Sequence, residues 1–181
     1  MRYVERDLVE APSSLFEHKD AQNNRLALKE FFGGDSEKVR QSNLVLSDWV
    51  LEDQIVKASL DTLFGSRCAF CESPTFKSED NVYRFRPRSE ASPVLDRGTS
   101  HLYYLWMSDA WQNLYSICLK CHPEKREFFP VVSNRRVALP SPKEINQFVE
   151  RRDGRWPAFP LDEKPVFVDP CYDQMLWRHF D

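Results

Sequence analysis

Apolar positions in the first third of the chain recur at helical spacing. Pro12-Ser13-Ser14-Leu15 reads as a turn into a helix with Ser13 or Ser14 at its N-cap. Leu26, Leu28, Phe31 and Phe32 suggest a short helix ended by Gly33-Gly34, and a second helix opens at Asp35 or Ser36. That helix is expected to break near Ser47, because Ser47, Asp48, Glu52 and Asp53 supply a cap and a favourable N-terminal charge for another start. Val56, Leu60, Leu63 and Phe64 follow at i, i+4, i+7 and i+8, a single apolar stripe that Gly65 stops. A stripe of this kind is read as packing in cis, as a lid on what comes next.

The period then changes. Val82 to Phe85 alternates as a half-buried strand does, and Pro87 to Ser100 is a turn-rich loop. His101 to Trp106 is aromatic and fits either strand or helix. A helix is expected after His122, carrying Glu124, Lys125 and Phe128 and ended by Pro130. Residues 133–165 hold five prolines and little periodicity outside Lys143 to Val149, which predicts an irregular strap. The organisation expected is an N-terminal helical region over 1–66, a core over 67–132 and an irregular C-terminal extension over 133–181.

Composition narrows the class. Hydrophobic content of 41% with 29% charged residues suits a globular domain. No apolar run approaches the ~20 residues that span a bilayer, and Met1 to Glu10 lacks the apolar stretch of a signal peptide. A cytoplasmic protein is expected. The net charge of −3 is unevenly spread. Residues 1–83 carry 10 basic against 15 acidic side chains, 84–136 carry 9 against 5, and 137–181 carry 6 against 8. The middle third is therefore where a phosphate backbone would lie, although its excess is modest for a duplex-binding domain.

The chemistry sits in two cysteine pairs, Cys68-Ala69-Phe70-Cys71 and Cys118-Leu119-Lys120-Cys121, separated by 46 residues. Paired C-x-x-C knuckles present four thiolates for a closed tetrahedral zinc site, a structural centre and not a catalyst. The odd fifth cysteine, Cys171, argues against a disulfide framework and reads as a lone structural or surface thiol. A metal role for it would need a histidine such as His179.

Between and around the knuckles lie Arg84-Phe85-Arg86-Pro87, Trp111-Gln112-Asn113-Leu114 and His122-Pro123-Glu124-Lys125. In this order they resemble the HNH nucleases, the ββα-metal fold with a four-cysteine zinc, and most closely the PtuB-type nucleases of Septu and retron-linked anti-phage systems. Tyr103-Tyr104-Leu105-Trp106, Phe129-Pro130 and Glu163-Lys164-Pro165-Val166-Phe167-Val168-Asp169-Pro170 extend the resemblance over roughly residues 60 to 170. It implies an α+β fold: a ββα-metal core stapled by zinc, with N-terminal helices and a C-terminal strap. It further implies metal-dependent phosphodiester hydrolysis of DNA or RNA by a subunit working with an ABC/SMC-like ATPase of PtuA type. By position, Arg84 stands where the family carries its catalytic histidine, and Tyr83 where it carries an acidic residue. Asn113 matches the middle asparagine, which orients the base or else holds the hairpin closed. His122 matches the residue that binds Mg²⁺ or Mn²⁺. Arg86, Arg88 and Lys125 are the expected nucleic-acid contacts.

An arginine stays protonated and cannot take a proton from water. Arg84 is therefore read as a phosphate clamp, with His101 the only histidine available in the insert as a displaced base. The competing reading is a catalytically degenerate HNH domain kept as a structural or nucleic-acid-binding adaptor. A stand-alone zinc-finger reader fits the knuckles but not the 46-residue insert.

Overall fold

The computed structural model describes residues 2–75, 81–94 and 97–173. His179 and the Phe180-Asp181 end lie outside those residues. The architecture is α+β, five helices and a small two-stranded sheet among the described residues: α1 (Ser14–Glu17), α2 (Lys19–Phe32), α3 (Ser36–Gln41), α4 (Gln54–Phe64), β1 (Val82–Arg84), β2 (Leu114–Ser116) and α5 (Pro142–Glu150), with 3₁₀ turns between them. No helix among the described residues is long and apolar enough to cross a membrane.

The N-terminal helices follow their local chemistry. Ser13 precedes α1, and Asp35 caps α3 by accepting the Glu37 and Lys38 amides. Helix α2 begins seven residues before the apolar cluster that announced it and ends at Gly33, whose amide returns to the Lys29 carbonyl. The helix expected from Ser47 starts instead at Gln54. Asp53 accepts the Val56 amide at 2.8 Å and the Ser14 hydroxyl at 2.9 Å, so the better-placed carboxylate wins the cap. Ser47 and Asp48 are left ahead of a 3₁₀ turn, Trp49–Leu51. Val56, Leu60, Leu63 and Phe64 are buried, and Gly65 closes α4 at φ +63°, the left-handed cap that glycine favours.

Strands β1 and β2 pair antiparallel, Tyr83 opposite Tyr115 and Arg84 opposite Leu114. Three residues per strand is too little to stand alone. The ladder is prolonged at both ends by Ile117 N–H to the Asn81 carbonyl and Phe85 N–H to the Asn113 carbonyl, each at 2.9 Å. Beneath it lies an aromatic core in which Phe85 packs edge-on to Phe129 and at a tilt to Tyr115, and Tyr104 packs against both Trp106 and Phe129. The segment His101 to Trp106 is neither strand nor helix but two 3₁₀ turns, Arg97–Leu102 and Leu105–Met107, which drive Leu102, Tyr104, Leu105 and Trp106 inward.

The helix expected after His122 is absent: residues 121–130 run as turns, with a bridge between Ser92 and Phe128. Pro123 has no amide to donate, and Ser92 takes up the backbone of this stretch instead, donating its amide to the Glu127 carbonyl and accepting the Phe129 amide. The α element that would complete a ββα-metal core is therefore not formed after β2 in the described residues. Within the strap a helix forms on the one periodic stretch, Lys143 to Val149. Pro142 opens α5, Ser141 and Glu144 form a reciprocal capping box, and Ile145 and Phe148 are buried. Arg25 of α2 lies over the Phe148 ring at 4.4 Å and donates to the Phe148 and Arg151 carbonyls, docking α5 on α2.

Candidate functional site

The two knuckles converge. The sulfurs of Cys68, Cys71, Cys118 and Cys121 all lie within 4.8 Å of one another, with Cys71 and Cys118 at 3.5 Å. A tetrahedral zinc with ~2.3 Å bonds holds its sulfurs about 3.8 Å apart, so the donor set fits. The first knuckle is a tight turn in which the Glu72 amide returns to the Cys68 carbonyl, with Glu72 at φ +63°, and the Ala69 amide reaches the Ser116 carbonyl of β2 at 2.8 Å. The second closes with the Cys121 amide on the Cys118 carbonyl. The Ser73 hydroxyl and amide pull the exposed Cys71 thiol down to about 6, while burial pushes Cys68 and Cys121 up. Four sulfurs in mutual contact cannot all ionise without a cation between them. This four-cysteine cluster could hold a metal and is compatible with structural zinc, and it is the one such group of cysteines, histidines and acids among the described residues.

Tyr83 packs on the cysteine cluster from β1 and meets His122 edge-on, with ring centroids 5.9 Å apart. Both line a cleft of about 280 Å³ together with Asp48, Arg84, Arg88, Arg126 and Glu127. Burial raises the Tyr83 phenol to about 12 against a smaller opposing effect of Arg126, so it enters as a neutral hydroxyl.

Arg84 is fixed on both sides. Its Nε donates to the Ser108 carbonyl at 2.7 Å, Nη1 pairs with Asp48 Oδ1 at 2.7 Å, and Nη2 faces the buried Asp109 at 3.6 Å. Arg88 Nη1 takes the other Asp48 oxygen at 2.6 Å. Partial burial raises the Asp48 carboxyl, but the charges and hydrogen bonds of Arg84 and Arg88 outweigh it and hold the group below its ordinary range.

Asn113 lies outside the cleft and fully buried. Its amide is a two-way splint, accepting the Arg86 N–H at 2.7 Å while donating to the Arg86 carbonyl at 3.0 Å and the Met107 carbonyl at 3.2 Å. It locks the exit of β1 to the entry of β2. Arg86, expected at a phosphate, is a core residue: 2% exposed, paired with Glu163 at 2.9 Å and lying over Phe159. An alternating strand sends Arg84 and Arg86 to the same face, but Pro87 and the strap close over the second of them. Lys125 is exposed and does not line the cleft; with no helix beneath it, the turn presents Arg126 instead. His101 sits in the Arg97–Leu102 turn, away from the cleft lining.

Three charged cleft residues, Asp48, Arg126 and Glu127, escaped the sequence. Arg126 was adjacent to a chosen residue and needed only the turn to be foreseen. Asp48 carried no signal, since nothing local links a loop before α4 to β1. Cys171 is buried, its thiol raised to about 11 by burial, and its amide donates to Asp169. It is a structural thiol and not a surface one.

A second divalent ion does not fit the cleft as built. His122 is a single imidazole, the Asp48 oxygens are occupied by two guanidiniums, and no other group of three ligating side chains exists there among the described residues.

No family model matches the chain, and no solved structure matches it. The chain is similar to a Septu protein PtuB of Bacillus mycoides (strain KBAB4), with 31% identity over 126 residues. The alignment takes in 67% of this chain but 37% of that protein, so the chain spans little more than a third of the length of its relative. The relation that the sequence, the cysteine centre and this match support together is a PtuB-like one.

Proposed function

We propose that this chain is a PtuB-like subunit of a bacterial anti-phage system of the Septu type, and that its cleft binds a nucleic-acid phosphate backbone without cleaving it unaided. The observation that carries the reading is Arg84. Where the family resemblance calls for a base, the chain holds a permanent cation anchored by the Ser108 carbonyl, flanked by Arg88 and Arg126 in one cleft. Guanidiniums so arranged suit phosphate oxygens. They cannot deprotonate water, and loss of a general base alone costs ~10²–10⁴-fold in rate. Zinc on the four cysteines is structural in this reading. A cytoplasmic setting and an ATPase partner of PtuA type belong to the same reading by resemblance, and DNA and RNA are both candidate polymers.

A second reading, metal-dependent cleavage once the partner is bound, is favoured by one feature: His122 lies in the same cleft as Arg84. The two separate in one set of assays. Purified wild type, Arg84→His and His122→Ala are incubated with labelled DNA and RNA in Mg²⁺ and Mn²⁺, with and without the product of a neighbouring ATPase gene. The binding reading expects salt-sensitive association and intact substrate throughout for the wild type. Wild-type cleavage that His122→Ala abolishes replaces it with the nuclease reading.

A further inference from the structure

We infer that the Asp48 carboxylate occupies the phosphate position of the arginine cleft, so that the chain is self-inhibited toward nucleic acid until Asp48 turns out. This rests on the phosphate-binding reading of the cleft and adds its regulation. The carboxylate gives one oxygen to Arg84 at 2.7 Å and the other to Arg88 at 2.6 Å. Two oxygens of one anion on two guanidiniums is the pattern that the non-bridging oxygens of a phosphodiester would make.

The surroundings are built so that the side chain alone can leave. The neighbour on one side, Ser47, is pinned through both its amide and its carbonyl to the Asn24 side chain of α2. On the other side Trp49 is buried, its indole donating to Asp109 at 3.0 Å and its ring stacked on His18. The Asp48 side chain between them is 54% exposed, so rotation about its own bonds carries it to solvent while the backbone stays. Arg84 stays too, because Ser108 and Asp109 hold its other edges. Three arginines face two carboxylates, Asp48 and Glu127, across the cleft. With Asp48 turned out, Glu127 is the one carboxylate left in that lining, and Asp109 stays buried behind Arg84. An Asp48 that served only the fold would leave binding by a folded variant unchanged when replaced.

The test is fluorescence anisotropy with a labelled single strand and a labelled duplex at about 50 and about 200 mM salt. Proteins are wild type, Asp48→Asn, Asp48→Ala, the doubly substituted Asp48→Asn/Arg88→Gln, and Glu30→Gln, which removes an exposed charge outside the cleft. Zinc content and thermal midpoint certify folding, and Asp48→Ala decides should Asp48→Asn misfold. The expected result is binding ~10-fold tighter for Asp48→Asn than for wild type at the lower salt, with a salt slope steeper by about one. Arg88→Gln should cancel the gain, and Glu30→Gln should give none. Wild-type binding that Asp48→Asn and Asp48→Ala leave unchanged or weaken overturns the inference and leaves the phosphate-binding reading standing. No binding by any folded variant at the lower salt overturns both.

Discussion

At the scale of the residue, what distinguishes this protein is how its polar side chains are committed. Asn113 accepts the Arg86 amide and donates to the Arg86 and Met107 carbonyls. Replacing it with alanine takes this partner from the Arg86 amide and carbonyl, while the Met107 carbonyl keeps the Ala110 amide, and a buried unsatisfied group costs ~1–3 kcal/mol. Asn113→Ala should therefore lower the urea midpoint sharply with an unchanged slope, and by far more than an exposed substitution such as Glu30→Gln. Glu163 is a similar hub. It pairs with Arg86, accepts the Tyr104 hydroxyl at 2.6 Å and accepts the Val137 amide at 3.0 Å. Glu163→Gln leaves a buried guanidinium uncompensated and is expected to cost ~3–5 kcal/mol in chemical denaturation. Adding Arg86→Met to Glu163→Gln should recover part of that loss, because the uncompensated guanidinium is then gone. Asp48 gives a pH signature. Its carboxyl is held below its unfolded value by the two arginines, so the stability it contributes is fully present above the ordinary carboxylate range and is lost as pH falls through the depressed value. The difference in thermal midpoint between wild type and Asp48→Asn should close as pH is lowered from neutral to about 2, with no change between neutral and about pH 6.

At the scale of the element, the sheet is too small to be its own explanation. Two three-residue strands are held by the cysteine centre at one end, through Ala69 on Ser116, and by Arg6 at the other, whose Nη1 donates to the Leu114 carbonyl at 2.8 Å while its guanidinium lies 4.4 Å from the Tyr115 ring. Helix α4 packs Phe64 against Tyr115 from behind. The metal centre is thus part of how the hairpin exists. Purified protein should contain about one tightly held zinc per chain. Cys68→Ser or Cys121→Ser should lose it together with the fold, read as loss of near-ultraviolet dichroism from the aromatic core. A metal-free wild type with an intact near-ultraviolet spectrum would contradict this.

At the scale of the molecule, the larger hydrophobic core draws on the N-terminal helices, the hairpin and the strap together, with a small second cluster of Cys68, Ile117 and Cys118 at the knuckles. The strap's two acidic anchors explain why the Glu163 to Pro170 segment has the sequence it has. Glu163 neutralises Arg86 under the hairpin exit, and Asp169 accepts the Tyr115 hydroxyl of β2 at 2.6 Å and the Cys171 amide at 2.9 Å. At the other end of the chain Val4 donates its amide to the Pro170 carbonyl. The first and last described segments are therefore joined over the same strand, and the cleft is assembled from pieces more than thirty residues apart.

The sequence alone determined the features that are local. The knuckles follow from spacing, since C-x-x-C places both thiols of a pair within reach of one ion whatever surrounds them. The cap at Asp35, the α4 stripe and its Gly65 stop, and the strand at Val82 follow from residues a few positions apart. Tertiary structure decided whatever depends on competition between distant groups. Whether Ser47 or Asp53 starts α4 turned on the Ser14 hydroxyl, 39 residues from Asp53. The turn after His122 turned on backbone pairing with Ser92. Arg84 and Arg86 looked alike on one strand face, yet one opens into a cleft and the other is sealed against Glu163, because only the folded strap brings a carboxylate to the second. The same holds for Asp48: nothing in its neighbourhood in the chain foretells two arginines, and the charge balance of the cleft was set by the packing of α2 and the Trp49 turn against β1.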